Sequence, residues 1–387
     1  MQQIKTLSIK TKLDKKSQDR KGVHHMKWRG FVEQISPYVP GKSIEAVKKE
    51  YNLTEVHRLA SNENPLGPSE KAKEAMAEAA MEAHLYPDTS ALSLRETLAD
   101  LYGVTSDEIL TGNGADNVIS LVVSAYVNEG DEVLYCIPTF PAYRSSTLLM
   151  GGVPVEVPLK EDFTYDLEAM QASITPKTKL VFICNPNNPT GTIVDKAALE
   201  KFIQEVPDHV LVILDEAYIE YVTDEGYKTG IDFYKEGYPV LTIRTFSKFY
   251  SLAGLRIGYA LGSKEVLDPI LRLREPFALN RIAIAAAVAS VGDHEFAEGH
   301  LKMNAAEKAY VTGELEKLGF TVYPSKTNFL FVDVKRNGLE LFEELMKKGI
   351  IIRPCAAWGL DEYVRISIGL REQNEKLIET LNEIVSS

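Results

Sequence analysis

Apolar positions along the chain change rhythm several times. Over residues 43–50, 70–83 and 91–102 they follow helical spacing, and each stretch predicts a helix. Ser61-Asn62-Glu63-Asn64-Pro65 lies between the first two and predicts a loop by its turn chemistry. Continuous apolar runs then appear at 132–137, 179–184, 210–214, 240–244 and 257–261. Most do not alternate, so they predict strands covered on both faces, as in a mostly parallel sheet. The stretches between them suit crossover helices. Near Glu307 a long polar helix passes into a different rhythm, with shorter strand patterns at 320–323, 329–334, 350–353 and 364–368. The whole reads as an α/β fold: a large domain with a mostly parallel central sheet flanked by helices, and a smaller α+β C-terminal domain.

Composition narrows the function classes. The chain has 387 residues with 43 basic and 55 acidic side chains, a net charge of −12. Such a surface repels nucleic acid and anionic lipid. The longest apolar run, Ile282 to Val291, is about half the ~20 residues of a membrane helix, so no membrane partner is expected. Cys136, Cys184 and Cys355 are odd in number and far apart, which argues against a disulfide framework and fits a reducing cytoplasm. The seven histidines show no metal-ligand spacing, so no metal is expected. Residues 1–25 carry seven basic and two acidic side chains without apolar periodicity or the apolar core of a secretory signal. Residues 1–26 are accordingly expected to be a disordered extension.

Several short segments carry candidate chemistry. Lysine is ordinarily a solvated surface residue. Lys248 in Thr245-Phe246-Ser247-Lys248-Phe249-Tyr250 has aromatic neighbours that would favour the neutral amine, the form that attacks an aldehyde. Thr245, Ser247 and Arg256 offer the hydroxyls and guanidinium that a phosphate needs. Asp215 closes a buried strand, where open α/β sheets bind ligands, although a lone aspartate there is more often a helix cap. Asn185-Pro186-Asn187-Asn188-Pro189-Thr190-Gly191 is a rigid turn after another strand. Thr111-Gly112-Asn113-Gly114-Ala115-Asp116 precedes a helix and could bring backbone N–H groups to a phosphate.

Taken together, seven segments resemble the fold-type I pyridoxal-phosphate aminotransferases, and among them the histidinol-phosphate aminotransferases. They are Ser61–Gly67, Tyr86-Pro87-Asp88, Gly112–Asp116, Asn185–Gly191, Asp215–Tyr218, Thr245–Lys248 and Leu255–Gly258, in family order. The resemblance runs from about Met26 to the C-terminus. It implies an N-terminal arm over 27–60 packing with the small domain, a large cofactor-binding domain over 61–290 and a small domain over 291–387. It implies pyridoxal 5'-phosphate as cofactor, joined to Lys248 as a Schiff base, with Lys248 later moving the proton. Asp215 would pair with the pyridine nitrogen, and Asn188 and Tyr218 with the phenolic oxygen. Ala115, Asp116, Ser247 and Arg256, with Thr245 nearby, would hold the phosphate, and Phe140 would stack on the ring. Tyr86 would reach the neighbouring subunit's site, which implies a homodimer. Arg365 would clamp the substrate carboxylate, while Arg353, Tyr38, Asn62 and Asn64 would line the substrate side. The implied partners are small amino and oxo substrates. An aromatic amino-acid aminotransferase is the nearest alternative. Some proteins join this scaffold to a DNA-binding domain and act as cofactor-sensing regulators, but residues 1–25 are too short and unpatterned for a helix-turn-helix module.

Overall fold

The structure, a computed structural model, describes residues 29–35, 37 and 41–386. The expected extension at 1–26 and Tyr38 lie outside the described residues. A seven-stranded sheet organises the large lobe. Its order across is Ile109–Gly112, Gly258–Leu261, Val240–Thr245, Leu211–Asp215, Thr178–Cys184, Glu132–Ile137 and Val153–Pro158. Only Gly258–Leu261 runs against its neighbours. Helices cover both faces, which is why the central strands are apolar without alternation: every residue of Val240–Thr245 is buried. The helix Ala115–Tyr126 buries Val118, Ile119, Val122 and Val123 against this sheet.

Two strands of the large sheet have no counterpart among the expected ones. Val153–Pro158 reads Val-Pro-Val-Glu-Val-Pro, and its prolines are tolerated because it is an edge strand. Ile109–Gly112 is only four residues long and sits at the opposite edge. The strand expected at 350–353 is divided. Ile350–Ile351 pairs in parallel with His57–Arg58, and Arg353–Pro354 joins a different sheet. The helix expected over 70–83 ends at Ala80.

The small lobe holds a four-stranded antiparallel sheet, ordered Arg353–Pro354, Tyr363–Ser367, Phe329–Asp333 and Thr321–Val322. The 24-residue helix His294–Lys317 and the helix Arg371–Val385 pack on it through Val311, Leu315, Leu377 and Leu381. The N-terminal arm divides. The helix Ile44–Tyr51, capped by the Ser43 hydroxyl, buries Val47 with Met346 and Ile351 of the small lobe. Phe31 instead lies against Gly151 of the large lobe, where an added Cβ would come within 2.8 Å of the ring. Among the described residues no helix is long and apolar enough to cross a membrane, and no cluster of three or more His, Cys, Asp or Glu residues could hold a metal ion.

The consequence for function is convergence. Six strands of the large sheet run the same way and end on one side, and five of them lead into a segment singled out by its chemistry. These are Asn113-Gly114, Pro138-Thr139-Phe140, Asn185–Gly191, Glu216–Tyr218 and Phe246–Lys248.

Candidate active site

These loops and one face of the small lobe enclose a cavity of about 560 Å³. It brings together Ala115, Asp116, Phe140, Asn188, Asp215, Tyr218, Thr245, Ser247, Lys248 and Arg256 from the large lobe with Asn62, Arg353 and Arg365. Asn64 is absent from its lining. The Asn64 amide donates instead to the Phe249 carbonyl at 2.9 Å and meets Nδ1 of the buried His300 at 2.8 Å. Tyr86 lies outside the cavity of its own chain, 78% exposed and stacked on Phe277.

Lys248 lies at the cavity floor, and its Nζ donates to the Ser61 carbonyl at 2.9 Å. Burial, and next the nearby Arg365 guanidinium, lower its pKa to about 8, so far more of the amine is neutral near neutrality than for a solvated lysine.

Asp215 ends its strand 3% exposed. Its Oδ2 accepts from the Tyr143 hydroxyl at 2.6 Å and its Oδ1 from the Ala217 N–H at 3.3 Å. Both donors are neutral, and none of the ion pairs among the described residues includes Asp215. Burial raises its pKa to about 6, against the lowering effect of Tyr143. A buried carboxylate without a cation is uncomfortable, and a protonated ring nitrogen would supply one. Its neighbour Glu216 is satisfied differently. It accepts both Nε and Nη2 of Arg244, at 2.9 and 2.7 Å, and the Gly230 N–H at 2.6 Å.

At the other end the helix Ala115–Tyr126 begins without a side-chain cap, so its first N–H groups face the cavity. Arg256 reaches the same place, donating from Nη1 to the Ser247 hydroxyl at 3.3 Å and from Nη2 to Asp116 at 3.0 Å. Gly114 makes the approach possible: at φ +84°, a Cβ there would sit 2.6 Å from Arg256 Nη2. Asp116 therefore offers an anion its backbone N–H, while its carboxylate is paired with the arginine. The set fits a ligand that carries phosphate at one end and a protonated ring nitrogen at the other.

The substrate side is cationic. Arg365 is 6% exposed and donates from Nη1 to Asn188 Oδ1 at 2.5 Å and from Nη2 to the Ala60 carbonyl at 2.6 Å. Arg353 stands directly opposite it on the neighbouring strand, so both point to one face and both line the cavity. Asn62 is engaged by Tyr218 and Ser367: its amide donates to the Tyr218 hydroxyl at 2.9 Å and its Oδ1 accepts from the Ser367 hydroxyl at 3.1 Å. Burial pushes the Tyr218 hydroxyl up to about 12, so it stays a donor.

Three contributors escaped sequence reasoning. Tyr143 holds Asp215, and its place three residues beyond Phe140 was the available signal. Trp358 lines the cavity from the small lobe and donates its indole N–H to the Thr139 carbonyl at 2.8 Å. Cys184 lines the cavity opposite Asp215 in the strand register.

Comparisons with known proteins agree with one another. The model of the family aminotransferase class I and II matches residues 54–381. The chain is 45% identical over 361 residues, 93% of either chain, to a histidinol-phosphate aminotransferase of Moorella thermoacetica. It is 40% identical over 358 residues to another from Caldicellulosiruptor saccharolyticus, covering 92% of this chain and all of that one. The solved histidinol-phosphate aminotransferase from Sinorhizobium meliloti in complex with pyridoxal-5'-phosphate superimposes with a TM-score of 0.85 at 27% identity, covering 93% of this chain and 98% of that one.

Proposed function

Since the chain belongs to the aminotransferase class I and II family and is a pyridoxal-phosphate-dependent transaminase, we propose that it moves the amino group of L-histidinol phosphate onto 2-oxoglutarate. The products are imidazole acetol phosphate and L-glutamate, and the step belongs to histidine biosynthesis. The relatives named for this reaction match over nearly the whole chain. The structural observation that carries the reading is the arginine pair. The two residues stand directly opposite one another on adjacent strands. Arg353 and Arg365 face one cavity in that arrangement. They suit a site that takes two carboxylates in one half-reaction and a phosphate in the other.

Bound pyridoxal phosphate supplies an aldehyde that takes up the amine nitrogen and a protonated ring that absorbs negative charge. The chain's own groups do the rest. Asp215, buried and fixed by Tyr143, is the counter-charge that keeps a ring nitrogen protonated. The uncapped helix start at Ala115 and Asp116, with Ser247 and Arg256, holds phosphate. Tyr218 and the Asn188 amide orient the ring's oxygen, and Phe140 covers its face. Lys248 Nζ accepts the proton from the substrate's α-carbon, which its lowered pKa allows. Arg365, pinned between Asn188 and the Ala60 carbonyl, orients the carboxylate with two fixed donors.

The working unit in this reading is a homodimer. Met81, 81% exposed, lies with Leu85, Tyr86 and Phe277 on an apolar surface suited to a second copy, and Tyr86 could then reach the neighbouring phosphate. Three buried free thiols support a reducing cytoplasm as its compartment. The test is a half-reaction screen. Histidinol phosphate should convert the visible absorbance of the bound cofactor faster than phenylalanine or glutamate at equal concentration. A clear preference for phenylalanine would instead support an aromatic amino-acid aminotransferase.

A further inference from the structure

We propose that Trp358 is the residue that reads the side chain of the amino substrate, presenting a fixed aromatic wall to a planar ring. The inference rests on the transamination reading above and adds to it a determinant of substrate choice. Trp358 closes the short turn Ala356–Trp358, between the strands Arg353–Pro354 and Tyr363–Ser367. That turn is well tied: the Trp358 N–H donates to the Cys355 carbonyl, the Gly359 N–H to Ala356 and the Cys355 N–H to Tyr363, each at 2.9 Å. The indole N–H crosses to the other lobe and donates to the Thr139 carbonyl at 2.8 Å. Thr139 is itself tied in place: its hydroxyl bonds both the Tyr165 hydroxyl, at 2.9 Å, and Asn187 Oδ1, at 2.8 Å.

An indole has one polar atom, and here it is taken. What Trp358 lends to the cavity is therefore its apolar ring surface. None of the ring–ring contacts among the described residues includes Trp358, although Tyr143, Tyr218, Phe249 and Phe331 each pack against another ring. A fixed ring in a ligand cavity, with no ring packed against it among the described residues, suits a flat ring brought by the ligand. Arg353, on the strand leading into the same turn, lines the same wall and would take an anionic group of that ligand. Glutamate has no ring, so Trp358 contributes less to its half-reaction than to that of a ring-bearing amine.

The test compares Trp358→Phe and Trp358→Leu in the cofactor-loaded enzyme, with each half-reaction followed by single-turnover absorbance. The ratio of kcat/KM for histidinol phosphate to that for glutamate should fall about tenfold in Trp358→Leu, mainly through KM, and recover largely in Trp358→Phe. A binding measurement stands beside it. The chain has two tryptophans, so in a Trp28→Phe background Trp358 is the only emitter. Its fluorescence should respond to imidazolepropionate, a non-reactive ligand with ring and carboxylate, and not to glutarate. If Trp358→Leu does not fold, this titration decides. Equal losses in both half-reactions, or equal responses to both ligands, would overturn the inference and leave Trp358 a structural residue. Failure of the unmodified enzyme to use histidinol phosphate would overturn the proposed reaction instead. Phenylalanine then takes its place in the same ratio, and an unselective loss with it sinks the role of Trp358.

Discussion

At Asp215 the fold surrounds a carboxylate with neutral donors only, and this has a thermodynamic signature. Its pKa is about 6 in the folded chain without cofactor, above the ordinary value of 3.8. The folded state therefore binds more protons than the unfolded one between these values, and stability falls as pH rises through that window. Asp215→Asn should remove this slope and stabilise the cofactor-free chain at neutral pH, by on the order of 3 kcal/mol. Thermal melts across pH 4 to 8 would check it. The same variant should lower kcat/KM of the loaded enzyme by roughly 10²–10³-fold, because the counter-charge is gone. Lys248 is shifted the opposite way, to about 8, chiefly by burial. Only the neutral amine attacks an aldehyde, so the rate of cofactor capture by the stripped chain should climb with pH and level off above about 8. A climb continuing toward 10.5 would show an ordinary, solvated lysine. Lys248→Ala should form no borohydride-reducible link at all.

Elements place these residues where side chains alone could not. Helix Ala115–Tyr126 starts with open N–H groups because Gly114 adopts φ +84°, a backbone only glycine enters freely. In Gly114→Ala the new methyl would meet Arg256 Nη2 at 2.6 Å, and the flexible arginine would yield. Cofactor should then dissociate about 10–100-fold more readily, the worth of a lost charge-assisted contact, as read by absorbance during dialysis. Gly258→Ala is harsher, since its Cβ would meet the Ala115 nitrogen at 2.4 Å and backbone does not yield. Sequence patterns located four of the five strands ahead of the loops to within a residue, all but the four-residue edge strand Ile109–Gly112, because buried runs bounded by turn formers are local signals. They missed Val153–Pro158, whose alternation and prolines belong to an edge. They also joined 350–353 into one strand, because the switch of sheets after Ile351 depends on the distant partners His57–Arg58 and Tyr363–Ser367. The turn of Asn64 toward His300 was equally illegible, since it depends on a helix some 230 residues away.

At the scale of the whole molecule, the exposed side chains of Met81, Leu85 and Tyr86 are where the proposed homodimer can be tested. Introducing charge with Met81→Glu and Leu85→Glu should shift the sedimenting species to monomer and lower cofactor retention along with activity. A monomeric wild-type protein of full activity would contradict the shared-site reading. Cooperation between the lobes has its own geometry. Arg365 to Asn188, Lys326 to the Gly191 carbonyl, and Trp358 to the Thr139 carbonyl all cross between the two lobes. The three cysteines are all buried, and burial pushes each thiol up to about 12. Thiols held that far from ionisation do not react while the molecule is closed. Their alkylation is thus a clock for opening: Cys355 dates separations of the small lobe, Cys184 exposures of the cofactor floor, and Cys136 the breaching of the sheet itself.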